Sequence, residues 1–268
     1  MALTDFDYFF FKWTFCQLQS RSVATAALQN HWDTWITEND FSQIAAAGCA
    51  TLTSLPCIEL ISQHALFSLN HVRLPIGYWA FEVGPGEPYI QGQLLYLQKA
   101  VTWASNHNLK LIVDLHGAPG SQNGYDNSGE RMPTPMWHSN STNVARTNSI
   151  IKTIANMFKD QPNVVPVIAP LNEPAGYVNG VLPVTQQFWK DSYGNIRYPY
   201  GSSQMSNTVE LIHDAFQPLS YWNGFLASSG GYQGVAIDTH IYQMFTVAVR
   251  KLRFTDSGRS IDEFMVLN

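Results

Sequence analysis

Charged residues are scarce in this 268-residue chain, and the signals of several common protein classes are missing. Asp, Glu, Lys and Arg make up 13% of the residues, against about 25% in an average soluble domain. A hydrophobic share of 45% with so few charges excludes an intrinsically disordered chain. The net charge is −5 and no basic tract is present, which argues against nucleic acid as a partner. No Gly-rich loop of the GxGxxG or GxxxxGKS type occurs, which counts against a doubly wound nucleotide-binding fold.

Membrane, export and metal signals are also missing. No uncharged apolar run reaches the roughly 18 residues of a membrane helix, so we expect no membrane partner. Residues 1–11 carry two Asp where an export signal requires positive charge, so we expect no signal peptide in this sequence. Cys16, Cys49 and Cys57 lack the spacing of metal ligands and neither require nor exclude an oxidising compartment. We expect no metal and no cofactor.

Segments of strand and helix character alternate along the chain at steps of roughly 40 residues, which favours βαβ units and a parallel sheet. Because the phosphate-binding loops are missing, a barrel is favoured over an open doubly wound sheet, and about 250 residues is the usual barrel length. Strands are predicted at 70–76, 110–115, 164–169, 208–213 and 235–239, and helices at 37–48, 91–106, 141–159 and 186–193.

Polar residues collect where these predicted strands end. The carboxyl ends of the strands form the active site of a parallel barrel, so their joint placement predicts a site. Each residue alone could instead be a loop carboxylate, an ion-pair partner or a buried structural histidine. Asp114 and Asp238, inside strands, are expected to support the structure rather than catalyse. The predicted set is Arg73 within the first strand, His116 after the second, Asn172 and Glu173 after the third, and His240 and Tyr242 after the last.

Several stretches resemble the fungal exo-β-1,3-glucanases of glycoside hydrolase family 5. They are HVRLPIGYWAF (71–81), DLHGAPGSQNGYDNSG (114–129), LNEPAG (171–176) and DTHIYQMF (238–245), with WTFCQ (13–17) and HWDTWITENDF (31–41) similar to the same group. The resemblance implies an α/β fold, a (β/α)8 TIM barrel. It also implies an extracellular or cell-wall enzyme that releases glucose from the ends of β-1,3-glucan by a retaining mechanism. We expect this polysaccharide to be the partner of a monomeric protein.

The same resemblance implies a role for each site residue. Glu173 would be the general acid/base, and such an acid needs a raised pKa to hold its proton. Retention also requires a second carboxyl group about 5–5.5 Å away as the nucleophile. Asn172 would bind the sugar 2-OH, and Arg73 would support the nucleophile. The residues that would line the cleavage site are His116, His240 and Tyr242. Tyr125 and Phe245 would form a pair of aromatic rings at the entrance, and Asn127 would form a hydrogen bond with the sugar. Tyr replaces the more usual Phe at 125.

Three segments depart from the family pattern. The resemblance stops at Phe245, and the tail 246–268 carries 7 charged residues in 23, with Glu263 its only Glu. Residues 1–12 do not match the family's first strand, and 49–68 interrupts a connection that usually takes about 2–6 residues. We therefore expect a partial catalytic barrel over 1–245 followed by an unrelated tail over 246–268. Barrel strands two to six would be present, while the first, seventh and eighth would be missing.

Without the nucleophile region we expect impaired activity, because loss of a catalytic group typically costs many orders of magnitude in rate. Three alternatives stay open: a fragment that binds β-glucan without cutting it, another β-glucanase specificity such as that of a cellulase, and an unstable, non-functional product. The long 114–129 motif favours the β-1,3 exo type over the cellulase type.

Overall fold

Five parallel strands in the order β1-β2-β3-β4-β5 form the framework of the protein. The computed structural model describes residues 12–48 and 70–242. The chain divides into two units, Met1–Asp238 and Thr239–Asn268, and the second is described only over 239–242. The elements are α1 (Lys12–Leu18), α2 (Arg21–Thr34), α3 (Glu38–Gly48), β1 (His71–Gly77), α4 (Gln93–Asn106), β2 (Lys110–Gly117), α5 (Ser141–Phe158), β3 (Val167–Ala169), α6 (Val181–Arg197), β4 (Val209–His213) and β5 (Val235–Asp238).

Burial on both faces of the sheet explains why these segments form parallel strands. On β2, Leu111, Val113 and Leu115 are fully buried on one face and Asp114 is fully buried on the other, as expected for a strand with side chains packed on both sides. Helices α4 and α5 cross between strands and pack apolar stripes against the sheet, the stripe of α5 including Ile150 and Ile154. The predicted α/β fold and its partial barrel are confirmed. The segments 1–11, 49–68 and 246–268 lie outside the described residues, and their atypical character stays a prediction.

Two predicted elements were wrong in extent, and proline explains both. The third strand begins at Val167 rather than at 164, because Pro166 has no N–H to donate and only its carbonyl pairs, with the N–H of Val209. Helix α6 spans 181–197 rather than 186–193, because Pro183 falls in the first turn, where N–H groups have no intrahelical acceptor. The helices between residues 12 and 34 were not predicted at all.

The loop that follows β2 is held on the sheet by aromatic packing. Trp79 and Tyr89 stack with ring centroids 4.4 Å apart, and both are buried. Gly129 lies against this pair in a left-handed conformation, φ +97°, where a Cβ atom would come within 2.2 Å of the Trp79 ring. The loop can approach the rings closely only because residue 129 lacks a side chain.

Replacing Gly129 by Ala is therefore expected to lower the free energy of unfolding by about 3 kcal/mol, from left-handed strain and displacement of the ring. Gly86→Ala is the matched control, since Gly86 has a similar φ of +84° but no atom within 4 Å of the position that a Cβ atom would take. The control should lose only about 1 kcal/mol. Urea unfolding followed by circular dichroism measures both, and equal losses would contradict the packing argument.

Within the described residues, no helix combines the length and apolar character needed to cross a bilayer.

Candidate active site

A buried carboxylate in β2 orients two of the predicted site residues. Asp114 is fully buried, and its Oδ2 lies 3.0 Å from Nη2 of Arg73 and 2.7 Å from Nδ1 of His116. Because an ionised carboxylate can only accept hydrogen bonds, the Nδ1 of His116 carries a proton in this arrangement. Strand alternation puts residues 114 and 116 on the same face of β2, which brings the acid and the ring together.

Asn172 is fixed by the neighbouring strands. Nη2 of Arg73 donates to Oδ1 of Asn172 at 2.7 Å, and the backbone N–H of Asn172 donates to the carbonyl of Leu115 at 3.0 Å. A guanidinium can only donate, so the oxygen of the Asn172 amide faces Arg73 and its NH2 group points elsewhere. The amide can thus offer hydrogen to a ligand.

Glu173 has both the burial and the strained backbone typical of functional sites. It is only 4% exposed, and its φ of +46° is uncommon for a residue with a side chain. Nδ2 of Asn127 donates to Oε2 of Glu173 at 2.9 Å, while Oδ1 of Asn127 accepts from Asn123 at 3.0 Å. The bond from Asn123 fixes the amide of Asn127 with its NH2 group toward the acid.

Gln122 joins the ends of β2 and β3. Its fully buried side chain donates from Nε2 to the carbonyls of His116 and Asn172, each at 2.9 Å. Oε1 accepts from the N–H of Ala118 at 3.0 Å. These three bonds satisfy backbone groups of two separate loops, so Gln122 sets the spacing between the chain that carries His116 and the chain that carries Asn172.

His213, at the end of β4, also lies next to the acid. One of its ring nitrogens is within 4.8 Å of a Glu173 carboxylate oxygen. The N–H of Ala215 donates to Nδ1 of His213 at 3.0 Å, so Nδ1 is an acceptor and a neutral ring carries its proton on Nε2. The expectation of no metal stays a prediction.

Exposed aromatic rings stand beside these polar groups. Tyr125 and Tyr177 are 53% and 55% exposed, and their hydroxyl groups are 2.8 Å apart. The ring of Phe216, which is 37% exposed, lies 5.7 Å from that of Tyr177 between centroids. Burial of part of the ring, the hydrogen bond with Tyr125 and the charge of Glu173 all raise the pKa of Tyr177.

The structure brings most of the predicted site residues into two bonded groups that meet at the adjacent residues Asn172 and Glu173. Arg73 contacts both Asn172 and Asp114, and Asp114 contacts His116. Asn127 donates to Glu173, and Tyr125 lies on the same loop as Asn127. His240 and Tyr242 belong to the second unit, where their ring centroids are 6.1 Å apart, and their predicted roles stay predictions. Phe245 lies outside the described residues.

Sequence reasoning missed Gln122, Tyr177 and His213. His213 ends a predicted strand, which is the same signal that singled out the other polar residues. Gln122 and Tyr177 lie in loops without periodicity, and no local pattern indicates which backbone groups or rings they meet.

Comparison with known proteins shows the family to which this chain is related. A family model described as cellulase (glycosyl hydrolase family 5) matches residues 26–204, more than half of the chain. A glucan 1,3-beta-glucosidase of Blumeria graminis is 43% identical over 226 residues, covering 84% of this chain and 46% of the relative. A probable glucan 1,3-beta-glucosidase A of Aspergillus terreus is 38% identical over 256 residues, covering 94% of this chain and 54% of the relative. The chain thus spans about half the length of these relatives.

Solved structures share the fold at low sequence identity. A rutinosidase from Aspergillus niger superimposes with a TM-score of 0.68 at 20% identity, covering 86% of this chain and 61% of that one. The endoglucanase Cel5A of Thermotoga maritima gives a TM-score of 0.53 at 18% identity, covering 84% of this chain and 62% of that one. The parallel sheet, the family match and the curated relatives lead to one conclusion, that the chain belongs to glycosyl hydrolase family 5.

Proposed function

We propose that this chain is the part of a β-1,3-glucan exo-glycosidase that binds the sugar and supplies the general acid/base, Glu173. The observation that carries the proposal is the buried Glu173 carboxyl, which Asn127 holds and which is next in sequence to Asn172, the acceptor of Arg73. The names of the curated relatives, glucan 1,3-beta-glucosidase, support the substrate. An extracellular or cell-wall location and a monomeric state belong to the same proposal.

Glu173 donates the proton that the leaving sugar oxygen needs. A general acid must be neutral before the bond breaks, and Glu173 lies in a buried position, at 4% exposure. Because Oε2 accepts from Asn127, the other carboxyl oxygen carries the transferable proton. Once the leaving group departs, the same carboxylate can accept a proton from water.

Asn172 and Arg73 bind and orient the sugar. The amide oxygen of Asn172 accepts from Arg73, so its NH2 group donates to a sugar hydroxyl at the bond that is cleaved. Arg73 bridges Asn172 and Asp114, which keeps a positive charge close to the point where a carboxylate nucleophile would attack. His116, held by Asp114, lines the same position.

The second carboxylate is not assigned to any described residue. Glu210, the one described Glu after Glu173, lies near the start of β4 and contacts Ser192 of α6 rather than the site. Glu263 lies in the tail and outside the described residues. We therefore propose that this chain hydrolyses glucan slowly or not at all, while it keeps the groups that bind sugar.

Glucose release from a β-1,3-glucan tests the proposal directly. The purified 268-residue chain is compared with Glu173→Gln and with the control Glu38→Gln, which alters an acid at the start of α3. Glucan binding is measured by co-sedimentation for the same three proteins, and cellulose serves as the second polysaccharide.

Each outcome separates the alternatives. Release that Glu173→Gln abolishes and Glu38→Gln preserves would support the acid and reveal a second carboxylate, so the proposed impairment would be wrong. Binding without release would support the proposal as stated. Binding to cellulose alone would favour the other β-glucanase specificity, and the absence of both binding and cooperative unfolding would reject the proposal.

A further inference from the structure

The pattern Asn-X-Ser/Thr, in which X is not Pro, occurs once in the chain, at Asn140-Ser141-Thr142. It is the acceptor sequence for N-linked glycosylation, in which the amide nitrogen of Asn takes the sugar and the residue two positions later supplies a hydroxyl. Because so short a pattern also occurs by chance, the surroundings of Asn140 decide whether it can be modified.

Asn140 caps helix α5 in a way that does not use its amide nitrogen. Oδ1 of Asn140 accepts from the backbone N–H of Thr142 at 2.9 Å, and the carbonyl of Asn140 accepts from the N–H of Asn143 at 2.9 Å. Within the described residues, Nδ2 of Asn140 makes no hydrogen bond. An amide that carries a sugar on its nitrogen keeps its carbonyl oxygen, so glycosylation would leave the cap intact.

The cap does not explain why position 142 carries a hydroxyl. The cap uses the backbone N–H of this residue, which every residue except Pro provides. The other two Thr of α5, Thr147 and Thr153, donate to the carbonyls four residues before them, at 2.7 and 2.9 Å. In the part of the chain that the structure describes, the Thr142 hydroxyl makes no such bond. The acceptor sequence gives this exposed hydroxyl a use that the fold does not.

The acceptor sequence lies on the surface, next to a firmly held segment. Its three residues are all exposed, so an attached sugar displaces no core packing. Asn140 has extended backbone, φ −127° and ψ 110°, where the loop enters the helix. The segment before it is fixed by Trp137, whose ring is fully buried and whose Nε1 donates to Oγ1 of Thr147 at 3.0 Å.

The topology places Asn140 on the side of the sheet that carries the candidate active site. β2 and β3 are parallel neighbours, and α5 is the helix that connects them. A helix in such a connection starts where the first strand ends, at its carboxyl end. For β2 this is the end that carries His116.

We propose that Asn140 is an N-glycosylation site. The donor is an oligosaccharide carried on a lipid diphosphate. Nδ2 of Asn140 forms a bond to the anomeric carbon of the first sugar, while the bond from that carbon to the diphosphate oxygen breaks. Nδ2 gives up one proton, and the lipid diphosphate leaves with the electron pair of the broken bond. The proposal rests on the proposed extracellular location, because this modification is made on proteins that are secreted.

Expression through the secretory pathway of a yeast tests the site. The full chain is produced behind a cleavable leader peptide, and protein from the medium and from microsomes is treated with an endoglycosidase that leaves one N-acetylglucosamine on each modified Asn. Peptide mass spectrometry then locates that sugar. The variants are Asn140→Asp, Thr142→Ala and Thr142→Ser. Asn156→Asp is the matched control, since Asn156 is exposed on the same helix but outside the acceptor sequence.

The wild type, Thr142→Ser and Asn156→Asp should carry the sugar on Asn140, whereas Asn140→Asp and Thr142→Ala should lose it completely. Asp caps a helix about as well as Asn does, so Asn140→Asp should unfold at the same urea midpoint as the deglycosylated wild type, or at a higher one. Loss of the sugar in this variant is then due to the missing acceptor nitrogen and not to misfolding.

An unmodified Asn140 in wild-type protein from both fractions would overturn the proposal, and so would a sugar that persists in Thr142→Ala. Co-sedimentation of the same samples with β-1,3-glucan tests the proposed function separately. Glucan binding with an unmodified Asn140 would reject the glycosylation site alone. A sugar on Asn140 without glucan binding would reject the proposed function alone.

Discussion

Replacing Gln122 by Leu is expected to lower the free energy of unfolding by about 4 kcal/mol, which is a large share of a typical domain's stability. The side chain makes three hydrogen bonds to backbone groups, two as donor and one as acceptor. Leu has a similar volume, so the change leaves no large cavity. It instead leaves the buried carbonyls of His116 and Asn172 and the N–H of Ala118 without this partner, at about 1–3 kcal/mol each.

Gln122→Glu separates the donor role from the acceptor role. The carboxylate keeps an acceptor for Ala118 but faces two carbonyl oxygens with no hydrogen to donate, so it should destabilise nearly as much as Leu. Gln187→Leu is the matched control, because Gln187 is exposed on α6 and bonds only to Asp191 among the contacts that the structure describes. That variant should change stability by less than about 0.5 kcal/mol.

Urea unfolding followed by circular dichroism gives these values, and co-sedimentation with β-1,3-glucan shows whether the change weakens sugar binding. A loss below about 1 kcal/mol for Gln122→Leu would mean that water replaces the side chain, and the buried link between β2 and β3 would not be what holds the site together.

Glu210 makes the stability of the sheet depend on pH. Burial raises the pKa of Glu210 to about 8, from 4.5 for the free side chain, although the Ser192 hydroxyl and the Arg197 charge act in the opposite direction. Below pH 4.5 the carboxyl is neutral in both the folded and the unfolded chain. Between pH 4.5 and 8 the carboxyl has lost its proton in the unfolded chain but keeps it in the folded chain. Folding must therefore take up a proton, and this costs more free energy as the pH rises.

Each pH unit in that window therefore lowers the free energy of unfolding by about 1.4 kcal/mol. Glu210→Gln removes the titration while keeping the shape, so wild type and variant should be close in stability at pH 5. By pH 8 the variant should be the more stable by roughly 3 kcal/mol. Thermal and urea unfolding at pH 5, 6, 7 and 8 measure the difference.

Ser192→Ala supplies an independent check on the direction of this effect. The Ser192 hydroxyl donates to Oε1 of Glu210 and lowers its pKa, so its removal should extend the loss of stability to higher pH. Parallel stability curves for wild type and Glu210→Gln across the whole pH range would show that Glu210 does not titrate in the fold, and would contradict the prediction.

Local sequence patterns predict some residues of the polar site but not the contacts that orient them. Asn172, Glu173 and His116 could be predicted because a polar residue at the end of an apolar run is a local signal, and parallel strands bring their carboxyl ends to one edge. The contacts that orient them come from distant positions: Asn127 is 46 residues from Glu173, and Arg73 is 99 residues from Asn172. Such pairings depend on the paths of loops, which residue type and spacing do not encode.

The alternation of strands and helices, the parallel sheet and the polar edge were determined by the sequence, because hydrophobic periodicity acts over a few residues. Gln122 and Tyr177 acquire their roles only in the tertiary structure, where one meets backbone groups of two loops and the other meets the hydroxyl of Tyr125. A lone amide or phenol in a loop gives no periodic signal. Its partners exist only once the strands have paired and brought three loops together above the sheet.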